Sequence, residues 1–117
     1  MDAAENHLFN VVMIHHTMIV SFEDSIADSD LNEYLKDVEN LMMGSGHVQT
    51  FSAKRHIRVP GDDHAPVFIS TAVVQLGLTD IDALNATFAM PEAVELIRRW
   101  QSRYPYKVVW VNHEPLT

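Results

Sequence analysis

The chain alternates between two hydrophobic periods. Residues 9–22, FNVVMIHHTMIVSF, are rich in β-branched and aromatic side chains and lack glycine and proline, which predicts a first strand. Residues 29–44 change period: Leu31, Tyr34, Leu35, Val38, Leu41 and Met42 recur at helical spacing on one face. Ser29 suits the N-cap of this helix, Asp30 its positive end and Gly44 its stop. Residues 47–59 read as a more polar strand, 60–66 as a turn and 67–78 as an apolar strand. Residues 79–90 predict a second helix with Thr79 as cap and Asp82 three residues on. Pro91 suits the first position of a fresh helical segment, with Val94, Ile97 and Trp100 along one side. Residues 106–116 close the chain as a last strand.

The order β-α-β-β-α-β is the split βαβ arrangement, an α+β ferredoxin-like fold with a four-stranded antiparallel sheet. Its helices cover one face of the sheet. The other face is free to be polar, yet strands one and three are apolar on both sides. Strand one sets Val12, Ile14, Met18, Val20 and Phe22 against Val11, Met13 and Ile19. Strand three sets Phe68, Ala72, Val74 and Leu76 against Val67, Ile69 and Val73. A bare apolar face calls for a cover. Sheet-to-sheet packing of two copies is the simplest one, so a homodimer is expected. A monomer whose twisted sheet hides these residues is the alternative.

The 117 residues suffice for one compact domain, expected over 9–117 behind a flexible tail at 1–8. A hydrophobic content of 47% is that of a globular chain. The net charge of -8 includes an acidic arc from Glu23 to Glu39, which disfavours nucleic acid and anionic membrane surfaces as partners. With no cysteine, thiolate nucleophiles and zinc–thiolate sites are excluded. No run approaches a membrane span, and the first ten residues lack the basic-then-apolar form of a signal peptide. A cytoplasmic location is the expectation.

Two adjacent histidines stand at the middle of strand one. His15 and His16 point to opposite sides and cannot chelate one metal together. His16 shares the more apolar side, expected under the helices; His15 lies with Thr17 and Ser21 on the side expected to meet a partner sheet. A neutral imidazole in an apolar cleft can take a proton from an acidic carbon or phenol, which makes His16 the catalytic candidate. A core histidine bonded to a neighbour is the plainer alternative. Phe88, Tyr106 and Trp110 are candidates to line a ligand pocket with His16, as is His15 more remotely, although aromatics at such spacings also build ordinary cores. His47, His56, His64 and His113 are scattered, and Asp62-Asp63-His64 reads as a solvated turn, so no metal site is expected. The arginines of 98–103 complement a helix C-terminus. There is no nucleophile triad and no phosphate-cradling loop, and no cofactor is expected.

The stretch IHHTMIVSFED, residues 14–24, resembles the opening strand of the stress-responsive Dabb domains of the dimeric α/β-barrel superfamily. In that pattern a histidine is followed by about six mostly apolar residues and then an acidic stretch; His16, Phe22 and Asp24 stand where it puts them. ALNATFAMPEAVELI resembles the family's second helical region and YKVVWVNHEP its closing strand. The resemblance implies a dimeric barrel. It also points to the family's plant polyketide cyclases, related to the one that makes olivetolic acid, in which the strand-one histidine works with a second histidine after the helix-two proline and with a nearby tyrosine. Here those positions hold Ala93, after Met90-Pro91-Glu92, and about Thr87.

Three functions are open on the sequence. One is a cofactor-independent enzyme acting on an apolar aromatic or polyketide-like molecule through His16, of cyclase, isomerase or monooxygenase type. The second is a non-catalytic carrier or sensor using the same pocket. The third is an interaction dimer with a filled core.

Overall fold

The structure is a computed structural model that describes residues 11–23 and 26–117. The tail expected at 1–8 lies outside the described residues, as do Phe9, Asn10 and Asp24. The elements run β1 (Ile14–Phe22), α1 (Asp28–Gly44), β2 (Val48–Arg55), a short 3-10 turn (Pro60–His64), β3 (Ala72–Leu78), α2 (Ile81–Ala89), α3 (Pro91–Arg103) and β4 (Tyr106–His113). The sheet order is β2-β3-β1-β4, antiparallel at every pairing. The βαββαβ order is the expected one, with the second helical region split at Pro91.

The alternation of β1 decides which side is core. Val20 and His16 are buried, and Met18 and Phe22 pack against the same cluster beneath the helices. Val74, Leu76 and Leu78 of β3 meet Leu31, Tyr34, Val38 and Met42 of α1 and Leu96 and Trp100 of α3. Trp100 is 2% exposed, and its indole N–H donates to Asp37 Oδ2 at 3.0 Å. An indole is placed this deep only where its one donor finds a partner. Gly77 of β3 marks a close approach: a Cβ there would collide with the Thr50 hydroxyl and lie 3.1 Å from both Val12 methyls.

Several local expectations are corrected. Ala27, not Ser29, precedes the first turn of α1, and no side chain caps it. Asp80, not Thr79, caps α2, its Oδ1 accepting from Ala83 N–H at 2.8 Å. Gly44 is the last helical residue, and the reversal falls on Gly46 at φ 83°. On α3 the buried stripe is Ala93, Leu96 and Trp100, while Val94 and Ile97 are exposed. A stripe one residue away is rotated by about 100° on a helix of 3.6 residues per turn.

Strands two and three are shorter than expected. Their register ends at Arg55 opposite Ala72, with one further bond from His56 N–H to the Thr71 carbonyl at 2.9 Å, so 57–59 and 67–70 stand outside the ladder despite strand-like composition. Ile57, Val59, Val67, Phe68 and Ile69 are consequently exposed in this chain. The connection between them is held by Asp62, whose Oδ2 sits 2.7 Å from His56 Nε2 and accepts from Val59 N–H at 3.1 Å.

Opposite the helices the sheet is uncovered. Ile19, Val73, Val109 and Val111 are all exposed there. A polar line crosses this face: the Gln75 amide donates to Thr17 Oγ1 at 3.0 Å, and Thr17 Oγ1 lies 2.7 Å from His113 Nε2. His113 Nδ1 donates to the Glu114 carbonyl at 2.7 Å, which leaves Nε2 to accept the threonine hydroxyl.

Candidate functional site

Between the helices and the β1–β4 half of the sheet lies a cleft of about 740 Å³. The reason is architectural. α1 and α3 pack over β3 and β1, but β4 is an edge strand whose helix-side residues run on past that cover: Tyr106 is buried, Val108 half-buried, Trp110 and Asn112 exposed. The floor is His16 and Met18 of β1 with the same side of β4, and the walls include Leu84 and Phe88 of α2 and Ala93, Leu96 and Ile97 of α3.

His16 is 5% exposed and belongs to this wall. In the β1–β4 register it stands opposite Asn112, and its Nδ1 lies 2.6 Å from Asn112 Oδ1. The amide oxygen only accepts, so Nδ1 carries the proton and Nε2 keeps a lone pair. Among the described residues Nε2 has no hydrogen-bond partner. Burial lowers the His16 pKa from 6.5, and the Asn112 contact opposes that shift without cancelling it. The ring is therefore neutral at pH 7. The Phe88 ring centroid is 4.9 Å from that of His16 and the Trp110 centroid 6.0 Å, so two aromatic faces flank the imidazole.

The far end of the cleft is phenolic. Tyr34 and Tyr106 pack with centroids 5.4 Å apart. Burial, reinforced by the neighbouring Tyr106, pushes the Tyr34 phenol far up, and burial raises Tyr106 as well, so both stay protonated at neutral pH. Gln101 pins this end by bonding both the Tyr106 carbonyl at 2.9 Å and its N–H at 3.1 Å.

Of the residues singled out from sequence, the fold brings His16, Phe88, Tyr106 and Trp110 to one cleft. His15 stands apart from them. It is on the uncovered face, its ring 5.6 Å from that of His113, and it does not line the cleft. Ala93 is buried in the wall, and Thr87 is fully buried with its hydroxyl donating to Ala83 O at 2.7 Å. Neither position supplies an acid or base. Sequence reasoning missed Asn112, Tyr34 and Gln101. Asn112 had one signal: it is the sole non-aromatic polar residue among the helix-side positions 106, 108, 110 and 112 of β4. Recognising its partner required the strand register. No group of three or more metal-ligating side chains occurs among the described residues.

No family model matches the chain, and no curated protein matches it. Solved structures do. A hydroxynitrile lyase from Passiflora edulis superposes with a TM-score of 0.71 at 12% identity, covering 89% of this chain and 94% of that one. A Dabb family protein with a ferredoxin-like fold from Mesorhizobium loti gives 0.70 at 18%, covering 92% and 100%. A dimeric ferredoxin-like protein of unknown function from Thermobifida fusca gives 0.69 at 12%, covering 92% and 94%.

The chain has the ferredoxin-like fold.

This is the architecture that the Dabb resemblance implies, now carried by the whole described chain rather than by three short motifs. Within the ferredoxin-like frame the cleft lies on the helix-covered side of the sheet, and the uncovered side is a separate surface.

Proposed function

We propose that the protein is a small enzyme that moves a proton on an apolar, ring-bearing molecule, with His16 as the base. The observation that carries this reading is the buried His16 ring, neutral at pH 7, held at Nδ1 by Asn112 and flanked by Phe88 and Trp110 at the wall of the cleft. Nε2 takes a proton from an acidic carbon or hydroxyl of the bound molecule. The imidazolium so formed lies in a desolvated wall with an amide oxygen, not a carboxylate, at Nδ1. It is a strained acid that returns the proton readily. Proximity supplies the rest, since the aromatic flanks fix a planar substrate over the ring. A hydroxynitrile lyase of the same fold supports the view that this architecture hosts enzymes.

A homodimer joined through the uncovered sheet faces belongs to this proposal. The exposed Ile19, Val73, Val109 and Val111 support it, as does a structural neighbour described as dimeric.

One observation favours a second reading. Ala93 and Thr87 leave the cleft without a second histidine or an ionisable tyrosine at those positions, which suits a carrier that binds without turnover. The two readings separate in one experiment. A library of small aromatic and carbonyl compounds is screened for ligands by thermal stabilisation, and each hit is followed for product by mass spectrometry with wild type and His16→Ala. Product formation by wild type alone, with both proteins folded, supports the enzyme. Saturable binding without product from either supports the carrier.

A further inference from the structure

The cleft is lined by eighteen residues, and none carries a charge at neutral pH. This is unexpected beside α3, whose second half holds three arginines. Each is turned away and committed elsewhere. Arg98 pairs with Glu95 at 2.6 Å, Arg99 with Asp37 at 3.3 Å, and Arg103 with Asp30 at 2.7 Å and Glu33 at 3.4 Å. Arg55 is likewise held by Asp28 at 3.1 Å. Lys107 lies on the opposite side of β4 from Tyr106 and Val108.

From this arrangement we infer that the cleft selects by charge: it takes uncharged ligands and rejects carboxylates and phosphates of the same shape. The inference rests on the cleft being a small-molecule site, and it adds the ionisation state of what enters. An anion leaving water for this wall would find no cation to offset its lost hydration. Its only donors would be uncharged: phenols, amides and the Trp110 indole N–H. The chain's net charge of -8 adds a long-range repulsion of anions by the molecule as a whole. An uncharged ligand meets none of these costs. Its ring sits over His16 beside Phe88 and Trp110, and an apolar tail runs along Met18 and Val108 toward Tyr106. Trp110 and Tyr106 are four residues apart on β4, about 13 Å at strand rise. Substrate and product of any reaction here would then both be neutral, which excludes reactions that leave a carboxylate in the cleft.

The test uses 4-pentylphenol and 4-pentylbenzoate, matched in shape but neutral and anionic at pH 7. Binding is read by calorimetry and by the fluorescence of Trp110, with Trp110→Phe identifying which indole reports. Wild type is expected to bind the phenol at least tenfold more tightly. Ile97→Arg, at a half-open position of the wall, is expected to bring the two within about threefold by strengthening the benzoate. Asn85→Trp narrows the mouth and is expected to weaken the phenol, which separates the cleft from the uncovered apolar sheet. Benzoate binding as tight as phenol in wild type overturns charge selection and leaves the site itself standing. If neither compound binds, the site reading and the inference fall together.

Discussion

The Nδ1 of His16 and the Oδ1 of Asn112 lie 2.6 Å apart although 96 residues separate them in the chain. The contact joins the first strand to the last and decides the tautomer of the one histidine in the cleft. Asn112→Ala removes the acceptor and frees the ring to rotate or to place its proton on Nε2. The loss of one hydrogen bond to a group that becomes charged is about 1.5–3 kcal/mol, or roughly ten- to a hundredfold in kcat/KM. Asn112→Asp is expected to act oppositely on the ring, its carboxylate raising the His16 pKa. Nuclear magnetic resonance titration of His16 in the three proteins checks both: the midpoint should fall in the alanine variant and rise in the aspartate variant.

Activity should depend on pH through the same ring. The base is functional only when neutral, and burial places its pKa below 6.5. The rate is expected to be flat near pH 7 and to decline about tenfold per unit once the pH drops below the folded-state pKa. A profile with its acid limb above 6.5 would contradict the lowered pKa.

Stability carries a linked signature. The folded-state pKa of His16 is depressed, so between that value and the unfolded value of 6.5 the unfolded chain binds more protons. Stability contributed by the neutral ring is present above 6.5 and is lost as the pH falls through this window. His16→Phe removes the linkage, so denaturant unfolding of the variant should lose less stability than wild type from pH 7 to 5. Equal losses would mean that the ring titrates alike in both states.

The uncovered sheet face makes a separate prediction. Val109 is 65% exposed and Ile19 lies beside it, opposite in the β1–β4 register. If two copies meet there, Val109→Lys with Ile19→Lys sets like charges into the contact. Sedimentation velocity should then show a monomer where wild type shows a dimer. A double variant that remains dimeric at the same concentration places the contact elsewhere.

Packing at the other end of the molecule tests the core. Trp100 fills the junction of α3 with α1 and donates its N–H to Asp37. Trp100→Ala should cost about 3–5 kcal/mol, and Trp100→Phe should cost less, because the ring volume is largely kept while the hydrogen bond is lost. Chemical denaturation measures both. A phenylalanine variant as damaged as the alanine one would show that Asp37, not volume, holds the junction.

The element order and the core side of β1 were legible in the chain because they are local properties. Alternation assigned His16, Met18, Val20 and Phe22 to one side, and the helical repeat marked the buried face of α1. Pro91 announced the start of α3, since proline at the first position loses no hydrogen bond. Where two neighbouring patterns were both plausible, local reading failed. Val94–Ile97 and Ala93–Leu96 both recur at helical spacing, and only packing against α1 and the sheet chose the second. Residues 67–70 have the composition of a strand but no backbone partner beyond the bonds that Thr71 makes to Val20 and His56, and a strand exists only where its hydrogen bonds are made. The cleft belongs wholly to that second class. Asn112 reaches His16 through register, the arginines of α3 turn outward because carboxylates of α1 and of α3 itself hold them, and Ala93 and Thr87 are packing groups where the family resemblance points to a histidine and a tyrosine. Sequence determined the frame because period and propensity act over a few residues; the site was decided by contacts between residues far apart in the chain, whose geometry no local pattern encodes.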